Sequence, residues 1–261
     1  MEHADWLWDR LRPGYDAAIR LIGRKHGLPR LINGTDQMFV VPGAGMDETC
    51  EPVVWHVMMR LIRAGDTIVD VGANIGIHTV AFAKRSAPDG RVYAFEPDSA
   101  NLATLHAHIR LNHLEDRVSV FAAAIGATCG EVGFISLSDM VSHIAVDGWR
   151  DLYAGRAGET VMVAMKTLDS VFPSGRVDFI KIDVEGFEES VLRGAQTLLG
   201  DPARRPRAIV VEVHPFAWEG VGTSSESLLE LLTRNGYRVA SLAGQPVRHI
   251  SEYGHIIATA D

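Results

Sequence analysis

The chain has 261 residues, of which 47% are hydrophobic and 22% are charged. These values are ordinary for a globular protein, and the length suits one domain with a sizeable core and a small additional segment. The 25 Lys and Arg residues against 33 Asp and Glu residues give a net charge of −8, which argues against a nucleic-acid partner.

The two cysteines, Cys50 and Cys129, lie far apart in the sequence and form no CxxC pair. The sequence therefore indicates neither a disulfide framework nor a zinc knuckle. The first residues lack the continuous apolar core of a signal peptide, and no uncharged apolar run is long enough to cross a bilayer. We therefore expect a cytoplasmic protein without a membrane partner.

Residues 1–50 are predicted to form an N-terminal extension that packs on the main domain or on a second copy of the chain. Apolar residues at helical spacing predict an amphipathic helix from Asp5 to Ile22, and Met38–Val41 is predicted as a short strand. A helix over Glu51–Ile62, with a proline at an early position, then opens the main domain, residues 51–261. Packing on a second copy would make the protein a homodimer.

The centre of the main domain is the segment from Thr67 to Arg85. β-branched apolar residues predict a buried strand over Thr67–Val71, a turn follows between Gly72 and Gly76, and helical spacing predicts a helix over Ile77–Arg85. A strand, a glycine-bearing turn and a helix form the first unit of a nucleotide-binding α/β sheet, whose ligand lies beyond the carboxyl ends of the strands.

The charge beside this turn favours one class of ligand. The glycines follow G-x-x-x-G spacing instead of the dinucleotide fingerprint G-x-G-x-x-G, and Asp70 precedes the first of them by two residues. A carboxylate about 5 Å from a phosphate would cost on the order of 3 kcal/mol at an effective dielectric constant of about 20. S-adenosylmethionine (SAM) has no phosphate and carries a sulfonium and an ammonium group, so the pattern favours SAM over NAD. The alternative is an ordinary strand-turn-helix with a capping aspartate.

A second strand, Arg91–Phe95, ends in Glu96, 20 residues after Gly76. A carboxylate there can accept both hydroxyls of a ribose, as it does in NAD as well as SAM sites. Ser99 is predicted to cap the next helix, on which His106 and His108 are expected to be surface residues. A third strand is predicted over Val118–Ala124.

The remaining chain alternates strands and helices. The predicted elements are strands over Gly133–Leu137, Glu159–Val163, Val177–Val184, Ala208–Val213, Tyr237–Ser241 and His255–Thr259, and helices over Glu188–Leu199 and Ser224–Arg234. The stretch Ser138–Gly158, with Ser142, His143, Asp147 and Trp149, is either a loop over the site or an exposed connector. This order predicts a doubly wound α/β sheet with a C-terminal antiparallel strand pair.

Several motifs agree with one known family. They are VDVGANIG at 69–76, AFEP at 94–97 with Asn101, TLD at 167–169, DFIKIDVEGFE at 178–188, VLRGA at 191–195, and Glu212. Together, over about residues 51–214, they closely resemble the FkbM family of SAM-dependent O-methyltransferases. The resemblance implies a Rossmann-like class I methyltransferase fold with a seven-stranded sheet, and residues 51–261 as the methyltransferase domain.

The resemblance also implies a set of cofactor-binding residues. Asp70, Gly72, Asn74 and Gly76 would line the methionine end of SAM, with Thr79 near its carboxylate. Glu96 would hold the ribose, and Ala124 with Ile125 would flank the adenine. The rest of the implied set is Glu51, Ala73, Pro97 and Asn101.

Methyl transfer to a hydroxyl requires alignment of the reacting atoms and gains from a general base. The two-residue period of a strand puts Lys181, Asp183 and Glu185 on one face, and Glu212 with His214 on one face of the next. These strands should be neighbours, so Asp183, Glu212 and His214 are predicted to cluster beside the sulfonium.

Three interpretations of that cluster stay open. In the first, Asp183 or His214 is the base and the others, Glu212 and Lys181 included, orient it. In the second, Asp183, Glu212 and His214 bind a divalent ion such as Mg²⁺ that holds a sugar diol. In the third, Lys181 pairs with a carboxylate and the cluster only closes the end of the sheet.

The sequence therefore favours a SAM-dependent O-methyltransferase that acts on a hydroxyl of a small molecule, a sugar or a polyketide. N-methylation on the same fold and a metal-dependent sugar O-methyltransferase are the nearer alternatives. An NAD-type oxidoreductase and a non-catalytic protein that binds an adenosine nucleoside are the alternatives from other classes.

Overall fold

The computed structural model describes residues 10, 12, 26–44, 48–136, 143–145 and 159–260. The strands in these residues are β1 Leu28–Ile32, β2 Asp36–Val40, β3 Thr67–Val71, β4 Arg91–Phe95, β5 Val118–Phe121, β6 Ala124–Ile125, β7 Gly130–Ser136, β8 His143–Ile144, β9 Glu159–Lys166, β10 Phe179–Ile182, β11 Ala208–Val213, β12 Tyr237–Ser241 and β13 Gly254–Ala260. The helices are α1 Pro52–Leu61, α2 Ile77–Arg85, α3 Ser99–Leu111, α4 Leu168–Val171, α5 Glu188–Arg193, α6 Gln196–Gly200, α7 Pro215–Trp218 and α8 Ser225–Arg234. None of the helices in this part of the chain is long and apolar enough to span a bilayer.

Seven strands form the central sheet in the order β12-β13-β11-β10-β3-β4-β5. The strands from β11 to β5 are parallel, whereas β13 runs antiparallel to both β11 and β12. The predicted fold class, a doubly wound and mostly parallel sheet of seven strands with a C-terminal antiparallel pair, is confirmed. The order reverses between β3 and β10, so ligand-binding loops meet at the carboxyl ends of these two strands.

Both faces of the sheet are covered by helices, because successive residues of each central strand point to opposite sides. On β3, Ile68 packs into the core beneath α1, α2 and α3, whereas Val69 packs into the core beneath α5, α6 and α8. Strands buried on both faces read as continuous apolar runs, which is why the sequence pattern located them.

A second sheet of four strands, in the order β6-β9-β7-β8, adjoins the central one. The sequence predicted one strand over Val118–Ala124, and this is wrong. The chain turns after β5, where the N–H of Ala123 donates to the carbonyl of Phe121 at 2.9 Å, and β6 then pairs with β9 in the second sheet. Two sheets therefore share one continuous segment.

Three further predictions need correction. The helix predicted over Glu188–Leu199 is divided into α5 and α6, because Asp169 accepts hydrogen bonds from two backbone N–H groups at the start of α6, at 2.8 Å each. The N-cap of α3 is Asp98 instead of Ser99, and its carboxylate accepts from the N–H of Ala100 at 2.8 Å.

His108 was predicted as a surface residue, but it is fully buried. Its Nδ1 lies 2.7 Å from the carbonyl oxygen of Ile75, and its Nε2 accepts from the N–H of Val41 at 2.9 Å. The hairpin of β1 and β2 thus packs on α3, and His108 links it to the turn after β3. Most of the helix predicted over Asp5–Ile22 lies outside the described residues, with Arg10 and Arg12 as its only described, helical members.

We predict that Gly72→Ala lowers the free energy of unfolding by about 2–4 kcal/mol, through a positive φ and overpacking together. Gly72 has a φ of +79°, and a Cβ there would overlap the carbonyl oxygen of Asp183. Gly175 has a similar φ of +82° but open space around it, so Gly175→Ala is a matched control that should cost only about 1 kcal/mol. Urea denaturation measures both, and equal losses would contradict the close packing at Gly72.

Candidate active site

A cleft opens at the carboxyl ends of β3, β4 and β10, between the two sheets. Its position is the one at which α/β sheets bind ligands. Of the predicted cofactor-binding residues, those that line this cleft are Gly72, Asn74, Glu96, Pro97, Asn101, Ala124 and Ile125. Those that lie outside its lining are Glu51, Asp70, Ala73, Gly76 and Thr79.

Asp70 lies behind the cleft wall, fully buried in β3. The hydroxyl of Thr79 donates to its Oδ2 at 2.6 Å, and Lys181 is its register partner on β10. Burial raises the pKa of Asp70, and the charge of Lys181 opposes that rise. Its carboxylate therefore faces a protein cation and does not touch the space in which a ligand would sit.

The backbone of the turn after β3 has its N–H groups already bonded to protein oxygens. The acceptors for residues 72 to 76 in order are the Phe95 carbonyl twice, Glu96 Oε2, Asn74 Oδ1 and the Ala73 carbonyl, at 2.7–3.0 Å. A phosphate-binding turn instead presents free N–H groups to its anion. The turn is therefore suited to a ligand without a phosphate group.

Glu96 is buried beside this turn and still lines the cleft. Its Oε2 accepts from the N–H of Asn74 at 2.7 Å, and its Oε1 accepts from the N–H of Asp98 at 2.8 Å. Burial raises the pKa of Glu96 to about 7, against the lowering effect of these bonds. The Asn101 side chain also bonds to this carboxylate, so a ligand hydroxyl would take the remaining lone pair or replace Asn101.

The opposite end of the cleft is apolar and comes from the second sheet. Ala124, Phe134 and Ile144 form one buried cluster there, and His143 lines the cleft beside them. The stretch predicted either to cover the site or to be exposed thus contributes β8 to the cleft wall. The other residues named for that stretch, Ser142, Asp147 and Trp149, lie outside the described residues.

Asp183 follows β10 and lines the cleft beside the turn. Its N–H donates to the carbonyl of Val71 at 3.0 Å, which brings the two loops together. Because β10 ends at Ile182, Asp183 and Glu185 do not share a strand face as predicted; both lie in the following loop.

Lys181 is the buried cation beneath Asp183. Its Nζ lies 3.0 Å from Asp183 Oδ2, and its side chain is 6% exposed against 28% for that aspartate. Burial opposes the charge, but Asp183 and Asp70 outweigh it and raise the pKa of Lys181. Burial also raises the pKa of Asp183, which the Lys181 ammonium opposes without cancelling.

His214 follows β11 and lies among carboxylates. Its Nδ1 is 2.8 Å from Glu188, and its Nε2 is 3.3 Å from Glu185 and 4.0 Å from Glu212. Burial disfavours the charged imidazole, but Glu188, Glu185 and Asp183 outweigh it and raise the pKa of His214 to about 9. The side chain is therefore protonated at neutral pH.

Glu212 belongs to a second group of side chains. It accepts a hydrogen bond from the hydroxyl of Tyr253, and its Oε2 lies 3.5 Å from His255 Nε2, which in turn is 3.4 Å from Glu51. Burial raises the pKa of Glu212, but the bonds from His255 and Tyr253 outweigh it and lower that pKa to about 2. The three predicted residues thus lie close together, in two networks that meet where His214 approaches Glu212.

Sequence reasoning assigned no role to Glu185, Glu188, Tyr253 and His255. Glu185 and Glu188 stand in the same motif as Asp183, so its density of carboxylates was an available signal. Tyr253 and His255 flank the start of β13, and no local pattern indicates that they reach Glu212.

A family model described as the methyltransferase FkbM domain matches residues 70–239, more than half of the chain. The chain is 28% identical over 243 residues to the AMB antimetabolite synthetase AmbE of Pseudomonas aeruginosa, a match that covers 77% of this chain and 11% of that protein. It is 26% identical over 205 residues to the 31-O-demethyl-FK506 methyltransferase FkbM of Streptomyces tacrolimicus, covering 69% of this chain and 75% of that one.

Among solved structures, a methyltransferase FkbM from Methylobacillus flagellatus KT superposes with a TM-score of 0.48 at 18% identity, over 81% of this chain and 51% of that one. The chain thus spans about a tenth of the AmbE synthetase and about half of this solved chain. The length and position of the matched FkbM domain nevertheless settle the family. The chain belongs to the methyltransferase FkbM domain family.

Proposed function

We propose that this protein is a SAM-dependent methyltransferase that methylates a hydroxyl group of a small-molecule natural product. The observation that carries the proposal is that Glu96 and Asp183 line the same cleft from opposite sides of the glycine turn. One carboxylate suits a ribose, and the other suits a proton acceptor beside the methyl group.

The residues of the cleft fit SAM. Glu96 would accept the ribose hydroxyls, and the apolar cluster of Ala124, Phe134 and Ile144 would hold the adenine. The backbone N–H groups of the turn at Gly72 are already bonded to protein oxygens and need no anion, in keeping with a donor that lacks phosphate. When bound, SAM supplies a methyl group activated by its sulfonium.

Asp183 is the residue that we assign as general base. It is partly exposed to the cleft, and Lys181 holds one of its oxygens at 3.0 Å, which fixes the direction of the carboxylate. His214 is a poor candidate because the surrounding carboxylates raise its pKa to about 9, and Glu212 is poor because its contacts with His255 and Tyr253 lower its pKa to about 2. The proton of the acceptor hydroxyl would thus pass to Asp183 as the oxygen attacks.

A hydroxyl acceptor gains more from such a base than an amine does, because its proton is far less acidic. This favours O-methylation over N-methylation. The name of the 31-O-demethyl-FK506 methyltransferase is that of an enzyme acting at a natural-product oxygen, which supports the same class of acceptor here, a polyketide or a sugar. The net charge of −8 gives no support to a nucleic-acid substrate.

The metal-dependent alternative has less support from the donor set. A divalent ion would have to displace the proton that the surrounding carboxylates favour on His214, which weakens binding of Mg²⁺ there. Within the described residues, ligand atoms of Asp183 and His214 converge with Glu185, whereas Glu212 belongs to a separate group with Glu51 and His255, so the three predicted ligands do not form one site. We therefore route no step of the reaction through a metal ion.

We predict that S-adenosylhomocysteine binds this protein and that NAD does not. Because the pKa of Glu96 is about 7 and the ionised form accepts the ribose hydroxyls, affinity should rise with pH, by about tenfold between pH 6 and pH 8. Isothermal titration calorimetry at several pH values measures both effects. Tight NAD binding would overturn the proposed donor.

Glu96→Gln should weaken this binding by about tenfold or more and remove its pH dependence. Glu115→Gln, at an exposed position, is the matched control and should change neither.

We predict that Asp183→Asn lowers kcat by about 10²–10⁴-fold and leaves the affinity for S-adenosylhomocysteine unchanged. The loss arises because an amide cannot accept the proton. Transfer of labelled methyl from SAM to a panel of sugar and polyketide alcohols measures it. Asp89→Asn makes the same change at an exposed position and should keep full activity; full activity in Asp183→Asn would remove the base.

A further inference from the structure

The imidazole of His214 is enclosed by groups that can only accept hydrogen bonds when ionised. Nδ1 lies 2.8 Å from Glu188 Oε1, and Nε2 lies 3.3 Å from Glu185 Oε2. A neutral imidazole has one N–H, whereas both nitrogens here face carboxylate oxygens. Nδ1 is hydrogen-bonded to Glu188, and the approach of a second carboxylate to Nε2 favours a proton on that nitrogen as well.

Glu188 is the more deeply buried of these carboxylates, with a side-chain exposure of 0%. Its Oε1 also accepts from the N–H of Gly186 at 2.7 Å, and its Oε2 accepts from the indole N–H of Trp218 at 2.8 Å. A buried carboxylate is tolerated only when it is paired. Its cationic partner within the described residues is His214.

Of the two carboxylates that contact His214, Glu185 is the one that reaches the cleft. It lines the cleft with Asp183, and its backbone has a φ of +53°, which is uncommon for a residue with a side chain. The following N–H, that of Gly186, is bonded to Glu188. The loop that presents Glu185 is therefore tied to the same buried carboxylate as His214.

Charged and titratable groups face His214 from every element packed against it. They are Glu188 from α5, Asp183 and Glu185 from the loop after β10, Glu212 from β11 and Tyr253 before β13. The neighbouring basic side chains contact other carboxylates, since Lys181 lies 3.0 Å from Asp183 and His255 lies between Glu51 and Glu212.

We propose that His214 is a positioning residue, held as an imidazolium by Glu188, which fixes Glu185 at the cleft wall as a second carboxylate of the acceptor site. The acceptor site in this inference rests on the proposed function, whereas the protonation state of His214 does not depend on that function. A site with two carboxylates, Asp183 and Glu185, suits an acceptor that carries a second hydrogen-bond donor beside the hydroxyl to be methylated. His214 itself takes no proton from the acceptor.

NMR of the full-length protein, with ¹³C-labelled histidine, tests the charge of His214. The wild-type residue should titrate near pH 9, in line with the direction of its shift, and Glu188→Gln should lower that midpoint by more than about one pH unit. Glu226→Gln removes a carboxylate beside His249 at the surface and should leave the His214 titration unchanged. A wild-type midpoint below pH 7 overturns the proposal. This measurement on the wild-type protein does not depend on whether Glu188→Gln folds.

The pH profile of methyl transfer tests the link to Glu185. His214→Asn removes the charge that favours ionised Glu185, so the acidic limb of kcat should move to higher pH, with the affinity for S-adenosylhomocysteine retained. A merely structural role would lower kcat equally at all pH values and overturns the proposal. If no acceptor is methylated, the proposed function fails, while the titration still decides the state of His214.

Discussion

The site depends on the contact between the turn after β3 and the loop after β10. Val71 and Ile182 are register partners, so both strands end at the same level, and the N–H of Asp183 bonds to the carbonyl of Val71. The absence of a side chain at Gly72 then lets the carbonyl of Asp183 approach the turn. Asp183, which we propose as the proton acceptor, is thereby fixed against the turn that we propose binds the methyl donor.

Around this contact, the charges are arranged in units of one basic side chain between two carboxylates. The units are Lys181 between Asp70 and Asp183, His214 between Glu185 and Glu188, and His255 between Glu51 and Glu212. Three basic groups therefore serve six carboxylates, and burial of this excess raises the pKa of Asp183 and Glu185. A cationic methyl donor would relieve the excess, whereas an anionic cofactor would add to it.

The sequence predicts the central sheet well because periodicity and glycine position are local signals. Strand β3, the turn and α2 have the predicted bounds, and the neighbouring placement of Asp70 and Lys181 follows from strand order. His108 was misplaced because its burial depends on a hairpin far away in the chain. The position of β6 was missed because pairing with β9 outweighs continuity with β5.

The limits at the site have a similar cause. Asp183, Glu212 and His214 were found from motifs and spacing, but their partners were not. Glu188 and His214 are 26 residues apart in the sequence, and Tyr253 and Glu212 are 41 apart. Neither contact therefore produces a periodic pattern in the sequence. Those partners raise the pKa of His214 and lower the pKa of Glu212, and our proposed choice of base follows from these two shifts.

The structure adds a second basis for the proposed choice of methyl donor. Spacing and charge point to repulsion of a phosphate by Asp70, a carboxylate that is fully buried beside Lys181. In the proposed site the turn would also discriminate, because its five N–H groups are bonded to protein oxygens. A pyrophosphate would have to displace several of these bonds, at about 1 kcal/mol each, and would then lie beside Glu96. A donor that offers hydroxyls to Glu96 and a positive charge to the cleft requires no such rearrangement.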